Sequence, residues 1–134
     1  MSYKIERIFL IDDDQVYQYL TKKVMEDSHI VKHIDVFSNG LQAIKHLESR
    51  IDEPSSLPEV IFLDLSMPVM DGWEFLDEFK RIANNIKKTI VIYIVSSSIS
   101  PSDINKANQQ ENVRDYIIKP ITKKKFIELL ENFV

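Results

Sequence analysis

Val60-Ile61-Phe62-Leu63-Asp64-Leu65-Ser66-Met67-Pro68 begins as an unbroken apolar run and stops on a carboxylate. A strand with one solvated face alternates apolar and polar side chains. A run that is apolar at every position suits a strand buried on both faces, as in a parallel sheet covered by helices. The pattern recurs on either side of this stretch. Ile8-Phe9-Leu10-Ile11 leads into Asp12-Asp13-Asp14, Ile90-Val91-Ile92-Tyr93-Ile94-Val95 into Ser96-Ser97-Ser98, and the shorter Tyr116-Ile117-Ile118 into Lys119-Pro120. Ile34, Val36 and Phe37 predict one more strand near residues 31–37.

Helical periodicity fills the gaps. Val16, Leu20 and Val24 repeat every four residues after Asp14, an N-cap residue type, and predict the inner face of a first helix. Asn39-Gly40 precedes Ala43, Ile44 and Leu47 of a second. Asp71-Gly72-Trp73-Glu74 reads as a capping box, with Trp73, Leu76, Phe79 and Ala83 along one face of a third. Ser100-Pro101-Ser102-Asp103 opens a fourth with a cap, a proline in the first turn and an acid, but only Ile104 and Ala107 would anchor it. Thr122 caps the fifth, whose Phe126, Leu129, Leu130 and Phe133 form an apolar stripe running to the C-terminus. Residues 49–58 read as a long surface loop. Five strands alternating with five helices predict a doubly wound α/β domain with a parallel five-stranded sheet.

Composition narrows the function. The 134 residues are 44% hydrophobic and 28% charged, which predicts one folded domain burying roughly two thirds of its unfolded surface. The absence of cysteine removes disulfides, thiolate zinc sites, iron–sulfur clusters and a cysteine nucleophile, and is compatible with a cytoplasmic setting. No apolar run approaches the roughly 20 residues that span a bilayer, and Met1-Ser2-Tyr3-Lys4 opens no secretory signal, so no membrane partner is expected. A formal charge of −4 argues against direct binding of nucleic acid, whose phosphates call for a basic face. The two glycines, Gly40 and Gly72, lie in neither a dinucleotide-binding nor a P-loop pattern.

In such sheets ligands bind outside the carboxyl ends of the strands. Here those ends carry Asp12, Asp13 and Asp14, Asp64, Ser96, and Lys119. Carboxylates brought together repel one another, and a divalent cation relieves the repulsion. Magnesium suits oxygen ligands and a phosphate oxygen, whereas zinc would call for His or Cys. His29 and His33 have no acid between them and read as a solvated pair. An aspartate beside magnesium can attack phosphorus, and a lysine and a hydroxyl around the transferring group supply the remaining stabilisation. Asp64, Lys119 and Ser96 fit those roles, while Asp14 fits a helix cap.

The segments 9–14, 60–72, 95–97 and 116–120, with Asn39-Gly40 and Ala43, resemble the signature of the two-component response regulator receiver domain, CheY-like. The resemblance runs from about Lys4 to Val134 and implies a single receiver domain over 4–134, a flavodoxin-like fold and the strand order 2-1-3-4-5. It implies that Asp64 accepts a phosphoryl group from a histidine kinase or histidine phosphotransfer protein. It further implies that Asp13, Asp64 and the Ser66 carbonyl ligate Mg2+ directly, with Asp12 acting through a water. Lys119 and Ser96 would each hold a phosphoryl oxygen, and Tyr116 matches the aromatic that rotates inward in the active state. Ser96 stands where threonine is frequent and keeps its hydroxyl; Ser97 replaces a frequent alanine. Ser66 and Ser98 occupy positions that tune access of hydrolytic water. No output domain is expected after the fifth helix, so output would be by docking. The fourth helix, fifth strand and fifth helix, with Lys123, Lys124 and Lys125, would then present a phosphorylation-sensitive face to a downstream protein or a second copy of the chain.

Two other readings compete. Ile11-Asp12-Asp13-Asp14-Gln15-Val16 also resembles the start of haloacid dehalogenase-like phosphatases, with Asp12 as nucleophile and Asp14 as acid/base. That family needs an acidic pair after the lysine, and beyond Lys119 only Glu128 and Glu131 remain, in the last helix. An unphosphorylated, receiver-shaped interaction module would have no physical need for clustered carboxylates.

Overall fold

A computed structural model describes residues 3–133, so the expected last residue of the domain, Val134, lies outside the described residues. The strands are β1 (Ile5–Ile11), β2 (Val31–Phe37), β3 (Val60–Leu63), β4 (Val91–Ser96) and β5 (Val113–Ile118). Between and after them come α1 (Gln15–Ser28), α2 (Gly40–Ser49), α3 (Gly72–Ala83), α4 (Pro101–Asn108) and α5 (Lys123–Leu130). All strand pairs are parallel, and the order across the sheet is β2-β1-β3-β4-β5, as expected. This is the flavodoxin-like order that the resemblance implies.

The central strands are buried on both faces. Phe9, Ile11, Ile61, Leu63, Ile92 and Ile94 pack with the inner residues of α2 and α3 on one side. Ile8, Leu10, Val60, Phe62 and Tyr93 pack with Met25 of α1 and with Phe126 and Leu130 of α5 on the other. Consecutive residues therefore feed two separate apolar layers, which is why the strands read as continuous apolar runs.

Several local expectations need correction. Val16 and Leu20 do not face the core; they are 69% and 54% exposed, and α1 instead buries Thr21 and Met25. The Asp14 side chain accepts the Tyr17 amide at 3.1 Å, and with the helix starting there the side chains at 17, 21 and 25 turn toward α5 and the sheet. In α3 the buried face includes Phe75 and Ile82 beside Leu76 and Phe79, while Trp73 and Ala83 are half-buried. The capping box is present, with Asp71 accepting the Glu74 amide at 2.9 Å and Glu74 accepting the Asp71 amide at 3.0 Å. Ser100 makes no side-chain cap on α4. Ser98 organises that entry instead, its hydroxyl donating to Asp103 at 2.7 Å and accepting the Ser100 amide at 3.2 Å. As expected, α4 is weakly anchored, with Ala107 its one buried residue.

α5 ends at Leu130 rather than at the C-terminus. The 49–58 stretch is less loose than a surface loop. It contains a short 3-10 turn at Pro54–Ser56, buries Leu57, and is held by the Lys88 ammonium donating to the Pro54 and Leu57 carbonyls at 3.0 and 2.7 Å. Among the described residues no helix is long and apolar enough to cross a membrane.

Candidate functional site

Parallel strands all deliver their carboxyl ends to one edge, so the residues that follow β1, β3, β4 and β5 meet there. The order places β1, β3 and β4 side by side. The Asp12 amide donates to the Phe37 carbonyl at 3.0 Å and the Asp64 amide to the Ile11 carbonyl at 2.9 Å, which extends the sheet by one residue and aligns the two carboxylates. The Lys119 amide donates to the Ser96 carbonyl at 2.9 Å and brings in the end of β5. The Lys119–Pro120 peptide is cis.

Asp12, Asp64 and Ser96 are buried, at 3%, 7% and 4% exposure; with Thr21 they are the buried polar residues among those described. Asp13 is exposed, yet one oxygen from each of Asp12, Asp13 and Asp64 lies within 4.8 Å of the others. The Lys119 ammonium stands 2.8 Å from Asp12 Oδ2 and 3.5 Å from Asp64 Oδ1. One cation thus faces three carboxylates. The imbalance shows in Asp64, whose pKa is pushed up to about 6, first by burial and next by the charge on Asp12; Lys119 and the Ser66 backbone amide oppose the rise without cancelling it. Lys119 itself is raised despite burial, by its hydrogen bond to Asp12 and the nearby carboxylate charges.

The two buried carboxylates are not equivalent. Asp12 accepts the Asp14 amide on Oδ1 at 3.0 Å and Lys119 on Oδ2, so both its oxygens are occupied. Asp64 has the longer contact to Lys119 and the weakened acidity. Three oxygen donors, no nitrogen or sulfur ligand and an electrostatic deficit suit a hard divalent cation; the residues present fit one.

Around Asp64 the backbone is drawn in tightly. Gly72 donates its amide to the Leu65 carbonyl at 2.9 Å, and a Cβ on Gly72 would lie 2.6 Å from the Asp64 carbonyl oxygen and 2.8 Å from Leu65 Cα. Gly40 donates to the Met70 carbonyl at 3.1 Å. Between these tight approaches Val69 adopts φ 69°, at the centre of a three-residue turn closed by the Met70 amide donating to the Pro68 carbonyl at 2.7 Å, a conformation that a β-branched side chain rarely takes. Next to Asp64, a cavity of about 370 Å³ is lined by Ser66, Asp71, Trp73, Ser96, Ser98 and Asp103, among others.

Ser96 Oγ accepts the Ser98 amide at 3.1 Å, and the Tyr116 hydroxyl donates to the Ser98 carbonyl at 2.8 Å. The β4–α4 connection is thus tied both to the candidate hydroxyl and to the aromatic on β5. Lys106 of α4 stacks over Trp73 of α3, 4.4 Å from the ring centroid. Asp14 is a helix cap, and His29 and His33 are exposed, as expected. Two residues that carry no sequence signal also touch the site. The Gln18 side-chain amide donates to the Asp12 carbonyl, and the Tyr17 ring lies 4.3 Å beneath the Lys119 ammonium. Their position in the first turn after an aspartate run is the available clue.

Comparison with known proteins bears on the family and the fold. Residues 8–131 match the family described as response regulator receiver domain. A solved two-component response regulator from Cytophaga hutchinsonii superposes with a TM-score of 0.87 at 31% identity, covering 96% of each chain. Response regulator Rcp1 of Synechocystis sp. is 29% identical over 94% of this chain and 86% of its own. A protein-glutamate methylesterase/protein-glutamine glutaminase of Paramagnetospirillum magneticum is 30% identical over 85% of this chain, which spans only 28% of that protein.

Proposed function

The chain belongs to the response regulator receiver domain family of two-component systems, and from that premise we propose that it is a phosphoacceptor whose Asp64 takes a phosphoryl group from a phosphohistidine and signals by docking. The observation that carries this reading is the inequality between the carboxylates: Asp12 accepts the Asp14 amide and pairs with Lys119 at 2.8 Å, whereas Asp64 meets Lys119 only at 3.5 Å and is raised in pKa to about 6.

In the transfer, an Asp64 carboxylate oxygen bonds to phosphorus as the phosphorus–nitrogen bond of the donor breaks. The imidazole leaves with the electron pair and takes up a proton. Asp13, Asp64 and the Ser66 carbonyl, with Asp12 through a water, are the groups that would hold Mg2+, which when bound would neutralise the carboxylates and the phosphoryl oxygens. Lys119, displaced only slightly from its present position, would pair with one phosphoryl oxygen, and the Ser96 hydroxyl would turn to another. Asp71 and Asp103, which also line the cavity, are engaged in a capping box and a serine hydrogen bond.

The response begins at Ser96. Its hydroxyl now accepts the Ser98 amide, and the Ser98 carbonyl accepts the Tyr116 hydroxyl. Drawing Ser96 toward a phosphoryl group loads that hydrogen-bonded chain and, through Ser98 and Asp103, the first turn of α4. Because α4 buries one residue, it resists displacement weakly. The face of α4, β5 and α5 is accordingly the docking face for a downstream protein or a second copy, in a cytoplasmic setting. A haloacid dehalogenase-type reaction would use Asp12 as nucleophile and Asp14 as acid/base, and Asp14 is an exposed helix cap bonded to the Tyr17 amide.

The test is a pulse of acetyl phosphate with Mg2+ followed by intact mass. About one phosphoryl group per chain is expected, against many equivalents consumed by a phosphatase, and Lys119→Ala should still be labelled while its partner affinity ceases to respond. Amide hydrogen exchange with beryllofluoride should alter residues 97–125. Changes confined to α1 and α2 would contradict the docking face.

A further inference from the structure

Lysine carries a compact charge on a flexible four-carbon stem, and a site that depends on where its ammonium sits must supply something to hold it. Asp12 and Asp64 attract Lys119 from one side, at 2.8 and 3.5 Å. These carboxylates also face the cation site and the phosphoryl group, so their hold on Lys119 changes as the site fills. The Tyr17 ring is different. Its face lies 4.3 Å from the ammonium, inside the range of a cation–π contact, and it carries no charge that a metal or phosphoryl group would neutralise.

Tyr17 is itself fixed. Its backbone amide is bonded to Asp14 at the start of α1, and its hydroxyl is buried beside the Ile121 backbone. Burial also raises the phenol's pKa, so it stays neutral at physiological pH. The contact with Lys119 is made by the ring face.

We propose that Tyr17 is a positioning residue for Lys119, its aromatic face forming the wall that holds the ammonium where a phosphoryl oxygen on Asp64 will meet it. The proposal rests on the phosphoacceptor reading of Asp64, and the role is indirect: Tyr17 acts through Lys119. Phenylalanine should serve as well as tyrosine. Leucine, apolar and helix-compatible but without a π face, should not.

The experiment uses the full chain as wild type, Tyr17→Phe, Tyr17→Leu, Lys119→Ala and the Tyr17→Leu/Lys119→Ala pair, each checked to be folded at the assay temperature by a cooperative unfolding transition. Calorimetric titration with beryllofluoride in Mg2+ reads the affinity for a phosphoryl mimic. Tyr17→Phe should stay within about twofold of wild type and Tyr17→Leu should lose about tenfold, the span of a desolvated cation–π contact. In the Lys119→Ala background Tyr17→Leu should cost nothing further. An undiminished affinity in Tyr17→Leu, an equal loss in Tyr17→Phe, or the same loss without Lys119 would overturn the proposal. A parallel measurement needs no phosphoryl chemistry. Acylation of Lys119 by an amine-reactive ester, followed by peptide mass, should run several-fold faster in Tyr17→Leu than in wild type or Tyr17→Phe, and equal rates would overturn the proposal. If wild type binds no beryllofluoride, the phosphoacceptor reading fails, and the acylation rates alone decide whether Tyr17 holds Lys119.

Discussion

Asp64→Asn should make the metal-free protein more stable, by an amount that depends on pH. In the folded chain Asp64 has a pKa of about 6 against an ordinary 3.8, because it is buried beside Asp12 and only partly compensated by Lys119. At about 1.4 kcal/mol per pKa unit this gap corresponds to about 3 kcal/mol, and to about 2 kcal/mol after allowance for solvent screening at the open edge of the site. The sign follows from proton counting. Below about pH 4 folded and unfolded chains both hold the proton, and the carboxyl costs nothing. From about pH 4 to 6 the unfolded chain releases its proton first, so wild-type stability falls as pH rises; above about pH 6 the cost is complete. Asparagine keeps the shape and never ionises.

With about 2.1 cal/mol/K of unfolding entropy per residue over 134 residues, 2 kcal/mol corresponds to a Tm gain of about 7 °C near pH 8, falling to about half of that near pH 5. Thermal unfolding in chelator at the two pH values measures both. Saturating Mg2+ should then stabilise wild type and close the gap. A lower Tm for Asp64→Asn in chelator, or a gain equal at both pH values, would refute the electrostatic account of the site.

Other substitutions probe the backbone and the ligand set. Val69→Asn should raise Tm by about 3–4 °C, because asparagine tolerates the positive φ at about 1 kcal/mol less strain and the exposed valine gives up little burial; calorimetry that finds no gain would relocate the strain. Gly72→Ala should cost about 2–3 kcal/mol in urea unfolding, since its Cβ would meet backbone at Asp64 and Leu65 rather than a movable side chain. Asp13→Asn should weaken Mg2+ binding about tenfold by titration calorimetry with little change in chelator stability, because Asp13 is exposed.

The core of the site was readable in the sequence for a topological reason. Asp12, Asp64, Ser96 and Lys119 each follow an apolar run, and parallel strands carry all such residues to one edge. What escaped reading was set by hydrogen bonds that hydrophobicity does not report. The Asp14 cap fixes the rotation of α1, so Tyr17, Thr21 and Met25 turn inward while the more apolar pattern of Val16 and Leu20 turns out.

β1 begins at Ile5, before the apolar run, because Arg7 lies in the sheet paired with Asp35 at 2.6 Å. β5 is an edge strand and tolerates exposed Arg114 and Asp115 ahead of its apolar end. The role of Ser98 follows from four bonds made at once, to Ser96, Asp103, Ser100 and Tyr116, and a serine triplet offers no clue to which member makes them.

The central claim is that Asp64, and neither Asp12 nor Asp13, bears the phosphoryl group. Borohydride reduces an acyl phosphate to the alcohol and marks the acceptor permanently. After acetyl phosphate and Mg2+, the reduced chain should carry the mark in the peptide containing Asp64, with none in the peptide containing Asp12 and Asp13. A mark on Asp12 or Asp13, or equal marking in Asp64→Asn, would contradict the account.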